Sequence, residues 1–396
     1  MKTRLNFVFG ICVLFLAGSI ALCSLNLKNN EEKPEIPLTE VNTQPSEMRG
    51  MWVSYISLDM SGSDRSFESF KKKVDKIIAD AKDFGINTLI FQVRPFSDAL
   101  YKSEVYPASH ILSGVQGESV DYDALEYMCS ACHKSGLQIH AWINPYRVST
   151  NTTPETLAKS NPFYTDGVGF ETESGRYLNP AKKATREIIK KGVEEIVNNY
   201  DVDGIQFDDY FYPEDCGNFD KADYEEYRKA FPNTTESLWL DEWRKNNINI
   251  LLSDVYLAIK KINPDVQFGI SPQGNIENNE SIYADIYSWC ESAGYADYIC
   301  PQMYYSIENP ALSFEKSIKD WSEIDRHKNL RVYVGLGAYK AGSSADSGTW
   351  KNNSSELKNQ LELLREYGYD GYMIYDYGAL LSEDAAETIE VFRRSQ

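Results

Sequence analysis

Two adjacent aspartates, Asp208 and Asp209, end an apolar run and precede an aromatic cluster in the segment DVDGIQFDDYFYP, residues 201–213. Carboxyl groups placed where a strand ends can act as acid, base or nucleophile when a bond is cleaved. The tyrosines of the same segment offer flat faces on which a sugar ring can stack. The structural alternative is that Asp209 caps the following turn while Asp208 pairs with Arg94 or Arg147.

Other polar and aromatic residues are expected to converge on the same rim. An aromatic cleft with amides, arginines and a carboxylate suits a neutral sugar, because rings stack on Trp and Tyr while hydroxyl groups bond to amides. We therefore predict the following substrate-binding residues: Gln92, Arg94, Trp142, Asn144, Arg147, Tyr210, Tyr212, Gln302, Tyr304 and Asp376.

The elements that must position these side chains alternate from Arg49 onward between short apolar runs and amphipathic stretches. Strands are predicted at 49–56, 86–93, 137–143, 203–208, 266–271, 297–302, 331–337 and 371–377. Eight strands separated by helical patterns predict an α/β fold, a (β/α)8 TIM barrel with enlarged loops at its C-terminal face. An open doubly wound sheet is the alternative, but no glycine-rich phosphate turn follows the first strand.

Alternation along each strand indicates which side chains enter the barrel. Residues that face the surrounding helices should be apolar, so Ile205 and Phe207 point outward while Gln206 and Asp208 point inward. The same rule directs further residues inward: Gln92, Arg94, His140, Trp142, Asn144, Gln267, Ser271, Gln302 and Tyr333. The eighth strand is ambiguous. The polar residues gather at the C-terminal strand ends, where barrel enzymes hold their active sites.

Charge and histidine usage exclude several classes of function. The 396 residues carry 40 Lys and Arg against 59 Asp and Glu, a net charge of −19, which disfavours binding to nucleic acid. The 4 histidines form no zinc-binding cluster, and the aspartates form no calcium loop. We therefore expect neither a metal nor another cofactor.

The first 24 residues combine a basic start, an apolar run and small residues, which is typical of an export signal. Ile20-Ala21-Leu22-Cys23 is close to a bacterial lipobox, although Leu22 is bulkier than the usual residue before the lipidated cysteine. The apolar run is also almost long enough to remain as an uncleaved anchor. Both fates predict an exported, membrane-tethered chain, with a flexible linker at 25–47 and the barrel domain at 48–396.

The five cysteines beyond this segment show no regular spacing, and their odd number excludes a disulfide scaffold: Cys129, Cys132, Cys216, Cys290 and Cys300. Residues 129–133, CSACH, spell the covalent haem-attachment pattern. The surrounding sequence has helical spacing, however, which favours a helix face that carries two cysteines.

A series of motifs appears in a characteristic order: RGMWVSYIS, FQVRPFSDALY, IHAWINPYRV, LNPA, DGIQFDDYFYP, GISPQGN, DYICPQMYY and YDGYMIYDY. In this order they resemble the bacterial glycosyl hydrolase-like 10 family over almost all of residues 48–390. The resemblance implies an exported TIM-barrel glycoside hydrolase, often a lipoprotein, acting on cell-envelope glycans such as peptidoglycan strands. It places the best-supported acidic position on Asp208, with Asp209 and Tyr210 in the same motif.

Glycosidic cleavage needs one carboxyl as acid and a second as nucleophile or base. Related barrel hydrolases carry an aspartate nucleophile at the end of the fourth strand, so we assign that role to Asp208. Asp98, in RPFSDALY, is our first choice for the partner, although a loop cap is its structural alternative. Asp209, Glu104 and Asp376 follow.

Two alternative functions remain open. Family 18 chitinases carry DGxDxDxE on the corresponding strand, and their glutamate is the acid in hydrolysis assisted by a substrate N-acetyl group. This chain keeps Asp208 but has Tyr210 at the glutamate position. We therefore rank the assisted route below the two-carboxylate mechanism. A catalytically inactive carbohydrate-binding barrel that scaffolds cell-wall machinery is the other alternative. An enzyme needs two carboxyls about 5 to 10 Å apart across its cleft, whereas a binding barrel needs one or none.

Overall fold

The computed structural model describes residues 47–231 and 237–381. Eight parallel strands form the barrel: β1 (Met48–Val53), β2 (Thr88–Arg94), β3 (Gln138–Ile143), β4 (Gly204–Phe207), β5 (Gln267–Ile270), β6 in two parts (Tyr298–Ile299 and Gln302–Met303), β7 (Arg331–Gly337) and β8 (Gly371–Tyr375). Each strand pairs with the next, and β8 pairs with β1, so the sheet is closed. The predicted (β/α)8 barrel is confirmed. The predicted signal at 1–24, almost all of the linker at 25–47 and the last residues of the predicted domain lie outside the described residues.

Seven helices cover the outside of the barrel between consecutive strands: α1 (Phe67–Asp83), α2 (Ala124–Lys134), α3 (Lys183–Asn199), α4 (Leu240–Ile262), α5 (Ile286–Glu291), α6 (Phe314–Ser322) and α7 (Glu356–Glu366). Helix α1 illustrates how the sequence specifies them. The Ser66 hydroxyl caps its start by accepting a hydrogen bond from the Ser69 N–H. Its buried residues, which include Phe70, Val74 and Ile77, recur at helical spacing and face the sheet.

The loops at the C-terminal face of the barrel are enlarged, as predicted. The loop after β3 contains a three-stranded antiparallel sheet (Arg147–Thr150, Gly169–Glu171 and Gly175–Leu178), and the loop after β4 contains a helix at Lys221–Lys229. The Asp215 carboxylate joins the two loops by accepting hydrogen bonds from the N–H and hydroxyl of Ser174, at 2.9 and 3.0 Å. Shorter helices lie at Tyr55–Leu58, His110–Ser113, Asn278–Ser281, Thr349–Asn352 and Tyr377–Leu380.

Aromatic side chains fill the interior of the barrel. A buried cluster inside the strands consists of Met48, Trp52, Ile90, Trp142, Tyr298, Cys300, Tyr333 and Met373. Gly269 on β5 makes room for it, because a Cβ atom there would overlap the Tyr298 ring. The Tyr298 hydroxyl meets Nδ1 of His140 at 2.9 Å. Within the described residues, side chains therefore fill the lumen beneath the loop end of the barrel.

Arg94 departs from the predicted alternation because β2 contains a bulge. Gln92 lies opposite Trp142, but Arg94 lies opposite Ile143, so one extra residue enters β2 and the next side chain reverses its direction. The Arg94 guanidinium lies against Gly192 of α3 and 4.4 Å from the centre of the Tyr106 ring. The prediction that Arg94 enters the barrel and binds substrate is therefore wrong.

Two other strands also differ from a regular alternating pattern. Strand β6 is interrupted at Pro301, whose nitrogen carries no hydrogen to donate to the ladder. On β8, Met373 lies in the interior cluster with Tyr375 packed against it, so Asp376 begins the turn away from the lumen. The peptide bond between Tyr375 and Asp376 is cis. The structure thus gives β8 the direction that its sequence left ambiguous.

The CSACH segment lies in α2, as predicted, with Cys129 and Cys132 buried on the inner face of the helix. The cysteines within the described residues are buried and form no disulfide bonds. Over the same residues, no helix is both long enough and apolar enough to cross a membrane.

Candidate active site

A cavity of about 200 Å³ opens at the C-terminal ends of the strands. Its lining combines aromatic rings, two carboxyls and small polar groups: Trp52, Trp142, Asp208, Asp209, Tyr210, Ser271, Gln302, Tyr304 and Tyr375. Six of the predicted site residues meet in this cavity, since only Trp52, Ser271 and Tyr375 were not among them.

Asp208, directly after β4, is 5% exposed and accepts hydrogen bonds on both carboxylate oxygens. Its Oδ2 atom accepts from Nε1 of Trp142 at 2.9 Å and from Nδ2 of Asn144. Its Oδ1 atom accepts from the Tyr210 N–H at 3.2 Å. Burial, together with the neighbouring Asp209 carboxylate, raises the pKa of Asp208 to about 7, although these donors and Arg147 oppose the rise.

Asp209 is the second carboxyl of the cavity. Its Oδ1 atom accepts a hydrogen bond from Nε2 of Gln302 at 3.0 Å, and the same amide also donates to the Ser271 carbonyl at 2.9 Å. Burial raises the pKa of Asp209 as well. Two neighbouring carboxyls that both resist ionisation hold a shared proton more readily than two separate ones would.

Arg147 is the positive charge beside this pair. Its guanidinium lies between two rings, 4.9 Å from the centre of Phe96 and 4.5 Å from the centre of Tyr210. Its Nε–H donates to the Pro95 carbonyl at 3.2 Å. Arg147 thus lies outside the cavity lining and lowers the pKa of both Asp208 and Asp209 from behind Tyr210.

Gln92 and Asn144, both predicted to bind substrate, lie behind Asp208 and do not line the cavity. Each is at most 1% exposed. Nε2 of Gln92 donates to Oδ1 of Asn144 at 2.6 Å, and Asn144 in turn donates to Asp208. Their contacts are therefore with a cavity carboxylate.

The aromatic wall includes two residues that sequence reasoning missed, Trp52 and Tyr375. The Tyr375 ring stacks on Tyr304 with centroids 5.4 Å apart, and its ring centre lies 6.0 Å from that of Trp52. Trp52 could have been predicted, because Met51 and Val53 are apolar and outward on β1, which directs the residue between them inward. Tyr375 could not, because inward and outward positions of β8 are equally apolar.

A second cavity, of about 570 Å³, continues from the first and shares Asp209 and Tyr210 with it. Its other walls come from the loops after β3, β4 and β5: Glu173, Ser174, Tyr177, Phe211, Tyr212, Pro213, Glu214, Asp215, Gln273 and Ile282. Tyr212 belongs to this cavity and is only 1% exposed, since its ring packs against Tyr283 at 5.1 Å. The two cavities form one cleft across the loop end.

Asp98, our first choice for the partner carboxyl, does not reach the cleft. It is fully buried in its own loop, where it accepts hydrogen bonds from Ser109 (2.8 Å), Gln116 (3.3 Å) and the Phe96 N–H (3.3 Å) and contacts Nδ1 of His110 at 3.1 Å. These contacts make it a loop anchor, which was the structural alternative. The assignment of Asp98 as a catalytic acid is corrected accordingly.

The two remaining partner candidates also lie elsewhere. Asp376 accepts a hydrogen bond from the Ser54 hydroxyl at 2.7 Å and caps the helix at Tyr377–Leu380 by accepting from the Ala379 N–H. Glu104 is exposed beyond β2, and its N–H donates to Glu195 on α3 at 2.7 Å. Neither lines a cavity of the cleft, so Asp376 is not a substrate contact of the kind predicted.

The model of the glycosyl hydrolase-like 10 family matches residues 47–351, well over half of the chain. The chain belongs to the glycosyl hydrolase-like 10 family. It is 34% identical to glycosyl hydrolase DigH of Escherichia coli K12, with 88% of each chain covered. It is 33% identical to glycosyl hydrolase YngK of Bacillus subtilis 168, over 81% of this chain and 67% of that one.

Two solved structures share the barrel. The glycoside hydrolase domain of PgaB (BpsB) from Bordetella bronchiseptica superposes with a TM-score of 0.59 at 14% identity, over 88% of this chain and all of that one. A β-galactosidase from the psychrophilic Marinomonas ef1 superposes with a TM-score of 0.57 at 12% identity, over 87% and 58% of the two chains. At these identities the likeness concerns the fold alone.

The geometry of this member of the glycosyl hydrolase-like 10 family is suited to acid–base chemistry on a sugar. Within the described residues, no group of three or more His, Cys, Asp or Glu side chains is placed to hold a metal ion. The carboxyls that line the inner cavity are those of Asp208 and Asp209, and they are surrounded by aromatic rings that can stack on sugar faces.

Proposed function

We propose that this chain is a glycoside hydrolase that cleaves glycosidic bonds in a cell-envelope or extracellular polysaccharide, peptidoglycan glycan strands included. The observation that carries the proposal is the pair of a buried Asp208 and a half-buried Asp209, which line one aromatic cavity on the face where barrel enzymes hold their active sites. The fold and the family support hydrolysis, and the carboxyl pair supplies the chemistry.

The shape of the cleft supports a chain of sugars as substrate. Ligand pockets commonly span about 300–1,000 Å³, and the two joined cavities together fall within that range. Tyr304 and Tyr375 form one wall of the inner cavity, while Tyr210 separates it from the outer one. A sugar bound over Asp208 therefore has room for neighbouring units on the side of the outer cavity.

The contacts of the two carboxyls divide their roles. Asp208 accepts three hydrogen bonds from N–H donors, which favour its charged form, so we assign it the nucleophile or charge-stabilising role. Asp209 accepts one hydrogen bond, from the Gln302 amide, and burial raises its pKa, so we assign it the role of general acid. In this two-carboxylate mechanism Asp209 takes the role for which Asp98 had been the first choice.

One observation favours the N-acetyl-assisted route as a second candidate. Asp208 and Asp209 are consecutive residues at the end of one strand, whereas a nucleophile and its acid partner flank the scissile bond from two sides. In the assisted route the acetamido oxygen of the substrate bonds to the anomeric carbon while the bond to the leaving oxygen breaks. Asp209 gives its proton to that oxygen, Asp208 holds the acetamido N–H, and water then opens the cyclic intermediate.

We further propose that the chain works outside the cytoplasm, tethered to a membrane through its first 24 residues. The basic start, the apolar run and the cysteine at position 23 support this location. A net charge of −19 keeps such a domain away from anionic lipid headgroups, and this suits a domain held off the membrane by a linker.

The decisive experiment is turnover of defined glycans by the full chain in detergent, with products resolved by mass. The substrates are peptide-free glycan strands, intact peptidoglycan and chitin oligomers. We expect Asp208→Asn and Asp209→Asn each to lower kcat at least about 100-fold while substrate still binds. Asp376→Asn is the matched control, because that carboxyl also follows a barrel strand but lies outside the cleft; it should keep most of the activity.

Two outcomes would redirect the assignment. Inhibition by a thiazoline analogue of N-acetylglucosamine, which mimics the cyclic intermediate, selects the assisted route over the two-carboxylate one. Binding without turnover by the wild type on all three substrates contradicts hydrolysis and leaves the carbohydrate-binding scaffold.

A further inference from the structure

Three consecutive hydrogen bonds connect the backbone N–H of Tyr55, just after β1, to the carboxylate of Asp208. The Tyr55 N–H donates to Oε1 of Gln92 at 2.9 Å, and Nε2 of Gln92 donates to Oδ1 of Asn144 at 2.6 Å. Nδ2 of Asn144 then donates to Oδ2 of Asp208. Gln92 and Asn144 are closed off from the cleft, with at most 1% of their surface exposed.

These three hydrogen bonds form a relay, and the Tyr55 N–H fixes the orientation of both side-chain amides within it. A backbone N–H can only donate, so the Tyr55 N–H requires the oxygen of the Gln92 amide. The Gln92 nitrogen must then face Asn144 and requires its oxygen. That leaves the Asn144 nitrogen as the group presented to Asp208, although either amide alone could turn over and exchange its oxygen for its nitrogen.

We propose that Gln92 and Asn144 are positioning residues that favour the charged form of Asp208 against the effect of burial, through a relay whose polarity is imposed by the Tyr55 N–H. An Asn144 side chain free to turn would offer its oxygen to Asp208 as readily as its nitrogen, and an acceptor there favours the protonated carboxyl. The catalytic meaning of this relay rests on the proposed function, in which Asp208 acts as a carboxylate; its effect on ionisation does not.

Other charged and titratable groups around Asp208 act in both directions. Asp209 and burial oppose its ionisation, while Arg147 supports it, and the hydroxyls of Tyr210 and Tyr375 face the same space. Trp142 and the Tyr210 N–H are its remaining donors. Because these groups stay in place when Gln92 changes, a Gln92 variant isolates the contribution of the relay.

The test measures the ionisation of Asp208 directly, in the full chain with aspartates labelled with ¹³C at the carboxyl carbon. The Asp208 signal is assigned by its loss in Asp208→Asn, and its shift is followed from pH 4 to 9. Gln92→Met removes the donor to Asn144 while keeping side-chain volume. Gln206→Met is the matched control: Gln206 is also a 1% exposed lumen glutamine, but it bonds to Trp52 and not to Asn144 or Asp208.

We expect the midpoint of the Asp208 titration to rise by about one pH unit in Gln92→Met. This is the scale of losing the charge-assisted hydrogen bond from Asn144 to Asp208, which Asn144 no longer makes when its amide turns over. Asn144→Asp, which replaces the donor by a carboxylate, should raise the midpoint further, whereas Gln206→Met should leave it unchanged. The acid limb of kcat/KM should move with the midpoint in the same order.

An unchanged midpoint in Gln92→Met would overturn the proposal, even if activity fell, because the amide would then be structural only. A rise in Asn144→Asp without one in Gln92→Met would also overturn it, since Asn144 would then act without the relay. If Gln92→Met does not fold, Gln92→Leu, which also removes the donor to Asn144, carries the test, and an unchanged midpoint there overturns the proposal. If no glycan is cleaved, the proposed function is contradicted, but the carboxyl titration still shows whether the relay favours the charged form of Asp208.

Discussion

Burial in the cleft makes the Asp208 carboxyl harder to ionise in the folded chain than in the unfolded chain. Its pKa is about 7 in the fold against an ordinary 3.8, so the folded state binds this proton more strongly than the unfolded chain does. The stabilisation that results is complete below about pH 3.8 and is lost as the pH rises through about 7. Between these limits, the stability of the wild type should fall with pH on account of this residue.

Asp208→Asn should remove that pH dependence. The free energy of unfolding of the variant minus that of the wild type should rise by about 2 kcal/mol from pH 5 to pH 8, because only the wild type loses stability over this range. Urea unfolding at pH 5, 6, 7 and 8 measures this difference. Asp215→Asn is the control: hydrogen bonds from Ser174 outweigh burial and lower the pKa of Asp215, so that carboxyl stays charged from pH 5 to 8 and its removal should leave the slope of stability with pH unchanged. Parallel stability curves for wild type and Asp208→Asn would contradict the raised pKa.

Single residues could be predicted where a strand keeps its alternation to the end. Asp208 and Trp142 follow regular apolar patterns, and the structure brings them into one cavity. Arg94 could not be placed, because a bulge adds one residue to β2 without changing the kinds of residues in its sequence. Asp98 failed for another reason: its position depends on the path of a long loop, which no local pattern specifies.

At the scale of elements, a buried ion pair joins the loop after β4, which begins with Asp208, to the start of α4. Arg244 is 3% exposed and its Nε–H and Nη2–H groups donate to the two oxygens of Asp220, at 2.9 and 2.6 Å. It also donates to the Gly217 carbonyl at 2.7 Å and to the Tyr283 hydroxyl at 2.6 Å. These bonds tie the loop to α4 and to the segment after β5 at the outer cavity.

Arg244→Met should therefore be costly to the fold. It leaves the fully buried Asp220 carboxylate without its cation, and breaking a buried pair in this way costs about 3–5 kcal/mol. Chemical unfolding at pH 7 measures the loss. Lys229→Met is the matched control, since it removes an exposed pair with Glu226 and should leave stability nearly unchanged. Equal effects of the two substitutions would contradict a structural role for the Arg244 bridge.

The elements themselves were more predictable than their details. The eight strands appear where apolar runs alternate with amphipathic stretches, because a closed parallel sheet needs apolar residues toward its helices. The interruption of β6 could have been anticipated from Pro301, whereas the antiparallel sheet after β3 could not. Its strands are three or four residues long and depend on partners supplied by the same loop, so their sequences carry no periodicity of their own.

At the scale of the whole molecule, the acidic charge and the N-terminal segment both bear on the proposal that the barrel is tethered to a membrane. A chain with a net charge of −19 gains no electrostatic attraction to an anionic membrane surface, so the proposed membrane location would need a covalent or inserted tether. In the proposed arrangement, residues 25–47, which are polar and contain three prolines, would link such a tether to the barrel, whose first strand begins at Met48.

Fractionation of cells that express the full chain tests this arrangement. We expect the wild type in the membrane fraction, because both fates of the first 24 residues retain the chain there. Cys23→Ser separates these fates: a lipoprotein loses labelled palmitate and its retention, whereas an uncleaved anchor keeps both its retention and its full mass. Cys12→Ser, a cysteine of the same apolar run outside the lipobox, should change neither. Wild type recovered wholly as soluble extracellular protein would exclude the tether, and the cleft would then act on glycans away from the membrane.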